Sequence, residues 1–316
     1  VKTREGRPIK IEPNQTCTSS RVQATILSFY DSNRAKEPQI NGANASWSKL
    51  DREIKKKLKD VKNKKITLLT NSVISPSLLS LINTFSDQYQ NVNHVMYDSV
   101  PYDGILDANL ESFGQRVVPD YHFDKADVIV SFGADFIGNW LSQDYSNDYI
   151  AGRNPKSGKM SRHFQIETNM SLTGANADKR IQIKPSEQAY LISNLFKALN
   201  GSTKIDERIK GVYENLKKSK SSIVVTDSQR KDVQLLVNAI NYQLGNYKTT
   251  IDIKNPCFLK KGNSNDLNSL IEDMNNGDVQ VLITSGVNPI YNLERSKDFR
   301  SGLEKVDTFI SCSLYN

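Results

Sequence analysis

The sequence predicts an α/β protein made of two doubly wound parallel-sheet units. Three observations predict it. Short, β-branched apolar runs alternate with helix-length stretches. The order strand, helix, strand, helix, strand occurs twice, over 66–135 and again over 222–289. Each pass ends in a glycine-containing turn, at Gly133 and at Gly286. In an open α/β sheet, ligands sit just outside such carboxyl-terminal strand ends.

The elements follow in chain order. Residues 1–12, with alternating small and apolar side chains around Gly6, read as a strand–turn–strand corner. Between 49 and 65, Leu50, Ile54, Leu58 and Val61 recur at helical spacing. That stretch holds nine Lys/Arg and three Asp/Glu, a net of +6, so it is an amphipathic helix with a basic outer face. Such a face is ordinarily solvated; its sharper use is docking on an acidic partner subunit or a lipid surface. No aromatic side chains interleave with the lysines, which argues against nucleic acid.

A strand at 66–70 is followed by a helix at 76–89, with Ser75 as its N-cap and Pro76 in its first turn. Strand 92–97, helix 102–113 and strand 127–131 complete the first pass. The second pass reads strand 222–226, helix 229–244, strand 249–253, helix 265–274 and strand 279–283. Residues 159–178, rich in Asn, Ser, Thr and Gly, read as a long structured loop leading through 180–188 into a helix that ends near 200. The expected organisation is an N-terminal segment with the basic helix at 1–65, a first α/β unit at 66–200 and a second at 201–316.

Composition excludes several classes of function. The chain has 316 residues, a net charge of +7 and 37% hydrophobic residues, enough for a substantial core. No apolar run reaches the length of a membrane span. Cys17, Cys257 and Cys312 are odd in number and widely spaced, so they supply no iron–sulfur or zinc ligand set. His94, His122 and His163 lie far apart without metal-ligand spacing and read as ordinary hydrogen-bonded histidines. Ser142, Asp144 and Asp148 read as solvated loop residues. No G-x-S-x-G elbow or phosphate-binding G-x-x-x-x-G-K-S/T loop occurs, and 70–76 lacks the glycines of a nicotinamide fingerprint.

Three short segments carry a family resemblance. Gly6, Arg7 and Pro8 precede the run Ile9, Lys10, Ile11, Glu12; Arg21, Gln23 and Ala24 follow; then come Leu27, Tyr30 and Asp31. Together they resemble molybdopterin oxidoreductases of the polysulfide-reductase and DMSO-reductase type. In that family a cysteine at the position of Ser19 is the last ligand of a four-iron cluster, and a glycine stands where this chain has Val22. The landmark is present and its metal ligand is missing. Further on, Glu167, Asn169, Ala177, Asp178, Pro185, Ser186 and Gln188 follow the order of the family segments that hold the nucleotide end of the pterin cofactor. Where the family pattern has Asp, Arg, Gly and Asp, this chain has Glu167, Asn169, Ser186 and Gln188. Asparagine does not pair with phosphate as arginine does, and Ser186 adds a side chain where a backbone should approach. Gly286, Asn288 and Pro289 match the family's G-x-N-P turn.

Residues 160–165 and 170–178, with 133–136 and Trp140, narrow the resemblance to the large iron–sulfur subunit of bacterial alternative complex III. The resemblance implies an interior piece of a longer chain, with iron–sulfur clusters carried by the remainder. It implies a non-catalytic scaffold with no cofactor and no metal ligand in this part. Its partners would be the other subunits of a membrane-associated, quinol-oxidising respiratory complex, on the periplasmic side of the bacterial inner membrane. A vestigial cleft between the two units would be lined by Gly133, Asp135, Glu167, Asn169, Ser186, Gln188, Gly286 and Asn288. The alternative is a working molybdopterin-dependent oxidoreductase that binds a guanine dinucleotide cofactor there.

Overall fold

Eight strands form two four-stranded sheets in which every pairing is parallel. The computed structural model describes residues 1–13, 18–61, 64–89, 91–142 and 144–315. One sheet runs in the order Lys179–Gln182, Arg162–Glu167, Val128–Phe132, Ser222–Thr226. The other runs Thr308–Cys312, Val279–Ser285, Lys65–Thr70, Val92–Met96. The chain divides accordingly: Val1–Gln23 with Tyr102–Leu259 carries the first sheet, and Ala24–Pro101 with Lys260–Asn316 carries the second.

This corrects the expected division at 65/66 and 200/201. The repeated order of elements is present, but the two passes are not the two units. Val279–Ser285 pairs alongside Lys65–Thr70, and Ser222–Thr226 pairs alongside Val128–Phe132. Parallel pairing needs no adjacency in sequence, so each unit takes strands from both passes. The α/β class with parallel, doubly wound sheets stands.

In the first unit the strands at Val128–Phe132 and Ser222–Thr226 are buried at every position, as expected of parallel strands covered on both faces. One face packs Val128, Val130, Phe132 and Val224 against Leu191, Leu195, Leu216 and Val237 of the helices Gln188–Leu199, Lys210–Lys218 and Lys231–Gln243. The other packs Ile129, Ile223 and Val225 against Phe123, Phe136, Trp140, Tyr145 and Tyr149. The strand expected at 249–253 forms as Ile251–Cys257, but it pairs antiparallel with Val118–Tyr121 outside the parallel sheet.

In the second unit, helix Trp47–Lys59 turns Ile54 and Leu58 onto Ile66 and Val281 and leaves its lysines exposed. Helix Pro76–Gln88 starts as expected, with the Leu78 N–H donating to Ser75 Oγ at 3.4 Å. Helix Ser264–Asn276 packs Leu267, Leu270, Ile271 and Met274 against Leu69, Val95 and Leu282.

The main surprise is Arg162–Glu167, a strand inside the segment expected to be loop. Its side chains at 163–167 are all buried, including His163, Gln165 and Glu167. Buried polar residues hid the strand from a reading that equates polarity with loops. The corner at 1–12 forms as the hairpin Lys2–Arg4 with Arg7–Lys10, turning at Glu5 and Gly6. Cys17 lies outside the described residues. Among the described residues no helix is long and apolar enough to cross a membrane.

Candidate functional site

In the first unit, the chain steps from Val128–Phe132 outward to Arg162–Glu167 and Lys179–Gln182, then returns to place Ser222–Thr226 on the other side. The order reverses between Val128–Phe132 and Ser222–Thr226, which is where a doubly wound sheet opens a crevice. A cavity of about 300 Å³ opens at these carboxyl-terminal strand ends, lined by Gly133, Glu167, Thr168, Asn169, Ser171, Ile183, Pro185, Gln188 and Asp227.

Four of the eight sequence-expected residues, Gly133, Glu167, Asn169 and Gln188, line this cavity. Ser186 is exposed in the short turn before Gln188 and is not part of the lining. Asp135 has a different task. Its carboxylate accepts from the Thr173 N–H at 3.0 Å and from Thr173 Oγ1 at 2.7 Å, tying the 135–140 turn to the 171–176 segment. Gly286 and Asn288 belong to the second unit.

Glu167, Gln188 and Asp227 are anchored by their neighbours. The Glu167 carboxylate accepts from Ser171 N at 3.1 Å, Ser171 Oγ at 2.6 Å, Gln165 Nε2 at 3.1 Å and Arg180 Nε at 2.6 Å. Burial pushes its carboxyl up, but the bonds from Ser171, Arg180 and Gln165 outweigh that and leave it below the usual carboxylate range. The Gln188 amide donates to the Phe132 carbonyl at 2.9 Å and to Asp227 Oδ1 at 2.7 Å. Asp227 is shifted the other way: burial raises its carboxyl, and the Gln188 bond only partly offsets this. Gly133 has φ +77°, and a Cβ there would stand 2.4 Å from Asp227 Oδ1. Glycine is therefore required twice over, by conformation and by contact.

The strand order of the second unit reverses between Lys65–Thr70 and Val279–Ser285. Gly286, at φ +68°, follows one strand, and Asn71, following the other, would lie 3.2 Å from a Cβ on Gly286. Asn288 caps the short helix Pro289–Asn292, its side chain accepting from the Tyr291 N–H at 3.2 Å. Nearby, Ser72 Oγ donates to Asp98 Oδ2 at 2.6 Å and accepts from the Lys261 and Gly262 N–H groups, a bracket that consumes the hydroxyl.

Sequence reasoning missed Asp227, Arg180, Thr168 and Ser171. Asp227 had a usable signal, because it follows a β-branched, mainly apolar strand as Gly133 does. Arg180 had none, since its role depends on the hidden strand beside it. No group of three or more His, Cys, Asp or Glu among the described residues is placed to hold a metal ion. Cys257 donates to Asp120 Oδ1 at 3.4 Å, and burial together with that carboxylate pushes its thiol up to about 11, far from a ready thiolate. Asp148 is raised to about 6, first by burial and then by Asp124 and Asp120.

No family model matches the chain, and no curated protein matches it in sequence. Solved structures do resemble it. Acetylene hydratase from Pelobacter acetylenicus superposes with a TM-score of 0.67 at 12% identity, over 97% of this chain and 56% of that one. This chain thus spans a little over half the length of that enzyme. A chain of the formyltransferase/hydrolase complex FhcABCD from Methylorubrum extorquens, solved with methylofuran, gives 0.57 at 11% identity, over 85% of both. Both are structures of the molybdopterin-oxidoreductase fold family, and this chain has that fold.

Proposed function

We propose that this chain is a molybdopterin-oxidoreductase-like scaffold domain without a cofactor of its own, part of an iron–sulfur subunit in a membrane-associated, quinol-oxidising electron-transfer complex. The observation that carries the scaffold reading is the closed bonding of Glu167. Four donors from its own unit fill the carboxylate that the family resemblance would turn toward a nucleotide. Gln188 is likewise committed to Phe132 and Asp227. No arginine is part of the described lining; Arg180 is bonded to Glu167, and the lining adds a second carboxylate at Asp227. Two carboxylates with one engaged arginine do not suit the phosphates of a guanine dinucleotide.

The electron-transfer setting rests on the resemblance of 160–165 and 170–178 to the large subunit of alternative complex III. A domain that keeps an enzyme's fold while bonding its site residues to one another serves by holding neighbours in place. That one structural neighbour is named as part of a multi-subunit complex is in keeping with such a role.

One observation favours the working-enzyme reading instead. The strand-end cavity is open, and Asn169 and Gln188, two of the residues expected at a cofactor site, line it. Calorimetry with guanosine diphosphate separates the two readings. The scaffold reading expects no binding in the micromolar range, for the unmodified chain and for an Asn169→Arg, Ser186→Gly double variant alike. Micromolar binding by the unmodified chain would reassign Glu167, Asn169 and Gln188 as cofactor ligands.

A further inference from the structure

The buried polar row behind the cavity has one proton too few for its contacts. His163, Gln165 and Glu167 alternate along Arg162–Glu167, so their side chains share one face of the sheet. Tyr149, from the helix Tyr145–Ala151, extends the row. Its hydroxyl lies 3.0 Å from His163 Nδ1 and 2.9 Å from the Asn176 carbonyl. His163 Nε2 lies 3.3 Å from Gln165 Oε1, and Gln165 Nε2 lies 3.1 Å from Glu167 Oε2. His163 and Gln165 are fully buried.

An ionised Glu167 accepts only, so Gln165 must turn its amide NH₂ toward it. The Gln165 oxygen then faces His163, which must carry a proton on Nε2. In a neutral ring Nδ1 is now an acceptor. It faces a hydroxyl whose other neighbour, the Asn176 carbonyl, is also an acceptor. One hydroxyl proton is left to serve two acceptors. The opposite tautomer is worse, because it sets the Gln165 oxygen against the Glu167 carboxylate. A proton added to Nδ1 resolves the conflict: Nδ1–H donates to the tyrosine oxygen, and the hydroxyl is free for Asn176.

Asn176 ends the 171–176 segment, whose first residue, Ser171, lines the cavity. The start of that segment is held by Glu167 through Ser171, and its middle by Asp135 through Thr173. We propose that His163 is a proton-operated clasp on this segment. With the ring neutral, the Tyr149 hydroxyl is drawn to Nδ1; with the ring protonated, it turns to the Asn176 carbonyl and fastens the segment's second end. One proton from solvent binds Nδ1, and no other bond to hydrogen is made or broken.

The groups facing the ring set its balance. Burial holds it neutral, down to about 4; the Gln165 bond, Asp178 and Glu167 favour the proton, and Arg153 opposes it. Asp178 accepts from the His163 N–H at 2.7 Å and pairs with Arg153 at 2.8 Å. Phe136 lies 5.4 Å from the ring between centroids and adds no charge. On the flanking strands Ser131 and Arg180 stand beside Gln165, bonded to the Ala134 carbonyl and to Glu167.

Nitrogen-15 NMR of the whole chain tests the clasp. Near neutral pH, His163 is expected as the Nε2–H tautomer. On acidification, the amide shifts of Gly174, Ala175, Asn176 and Ala177 should follow the His163 midpoint. In Tyr149→Phe, His163 should still titrate while those amides no longer follow it. An Nδ1–H tautomer at neutral pH overturns the proposal. So do amides that follow the midpoint equally in Tyr149→Phe, or a chain that unfolds before His163 titrates. If Tyr149→Phe does not fold, the wild-type tautomer decides.

Discussion

At the scale of single residues, Glu167 organises the cavity. It is 4% exposed, and its ion pair with Arg180 is accompanied by three further hydrogen bonds. Breaking such a pair from the arginine side leaves a buried charge without its counter-ion. Because Arg180 is a quarter exposed, Arg180→Met should cost about 2 kcal/mol, below the range for fully buried pairs. Urea denaturation of the variant measures the loss, and Glu167→Gln added to it should recover part. Gly174 offers a steric test, since a Cβ there would stand 1.9 Å from Glu167 Oε1. Gly174→Ala should therefore displace the carboxylate and lower the melting temperature, and an unchanged melting temperature would show that the Glu167 bonding is loose. His163 gives a pH dependence with a definite sign. Its folded pKa lies below its ordinary value of 6.5, at about 4. As pH falls, the unfolded chain takes up this proton first. The stabilisation is complete above about 6.5, declines through the window between the two values, and amounts to about 3 kcal/mol. His163→Phe should flatten that slope in denaturation measured from pH 7 to pH 4.

At the scale of elements, the signals that the sequence carried in local chemistry were legible. Ser75 and Pro76 marked a helix start, and the structure puts the cap there. Ser75→Ala should cost about 1 kcal/mol by removing the side-chain acceptor for the Leu78 N–H; the unfolding midpoint checks it. Leu50, Ile54, Leu58 and Val61 marked the inward stripe of the basic helix, and three of them pack on the second sheet. Gly133 and Gly286 were placed correctly at strand ends. The Arg162–Glu167 strand was illegible for a physical reason. Its polar residues pair with one another in the interior, and that pairing depends on partners far away in sequence, such as Tyr149 and Arg180. The same cause hid Thr168 and Ser171, which follow that strand into the cavity lining.

At the scale of the whole molecule, the class of fold was legible and the division into units was not. Composition and the alternation of elements point to parallel sheets, but nothing local tells Val279–Ser285 to lie beside Lys65–Thr70. The central proposal is functional: a molybdopterin-oxidoreductase fold whose Glu167 and Gln188 are bonded within their own unit would serve as a scaffold and carry no cofactor. Its most direct test is the molybdenum, tungsten and pterin content of the whole protein, purified from a host that makes the pterin cofactor. The account predicts none of the three above background. Stoichiometric metal with pterin would contradict it.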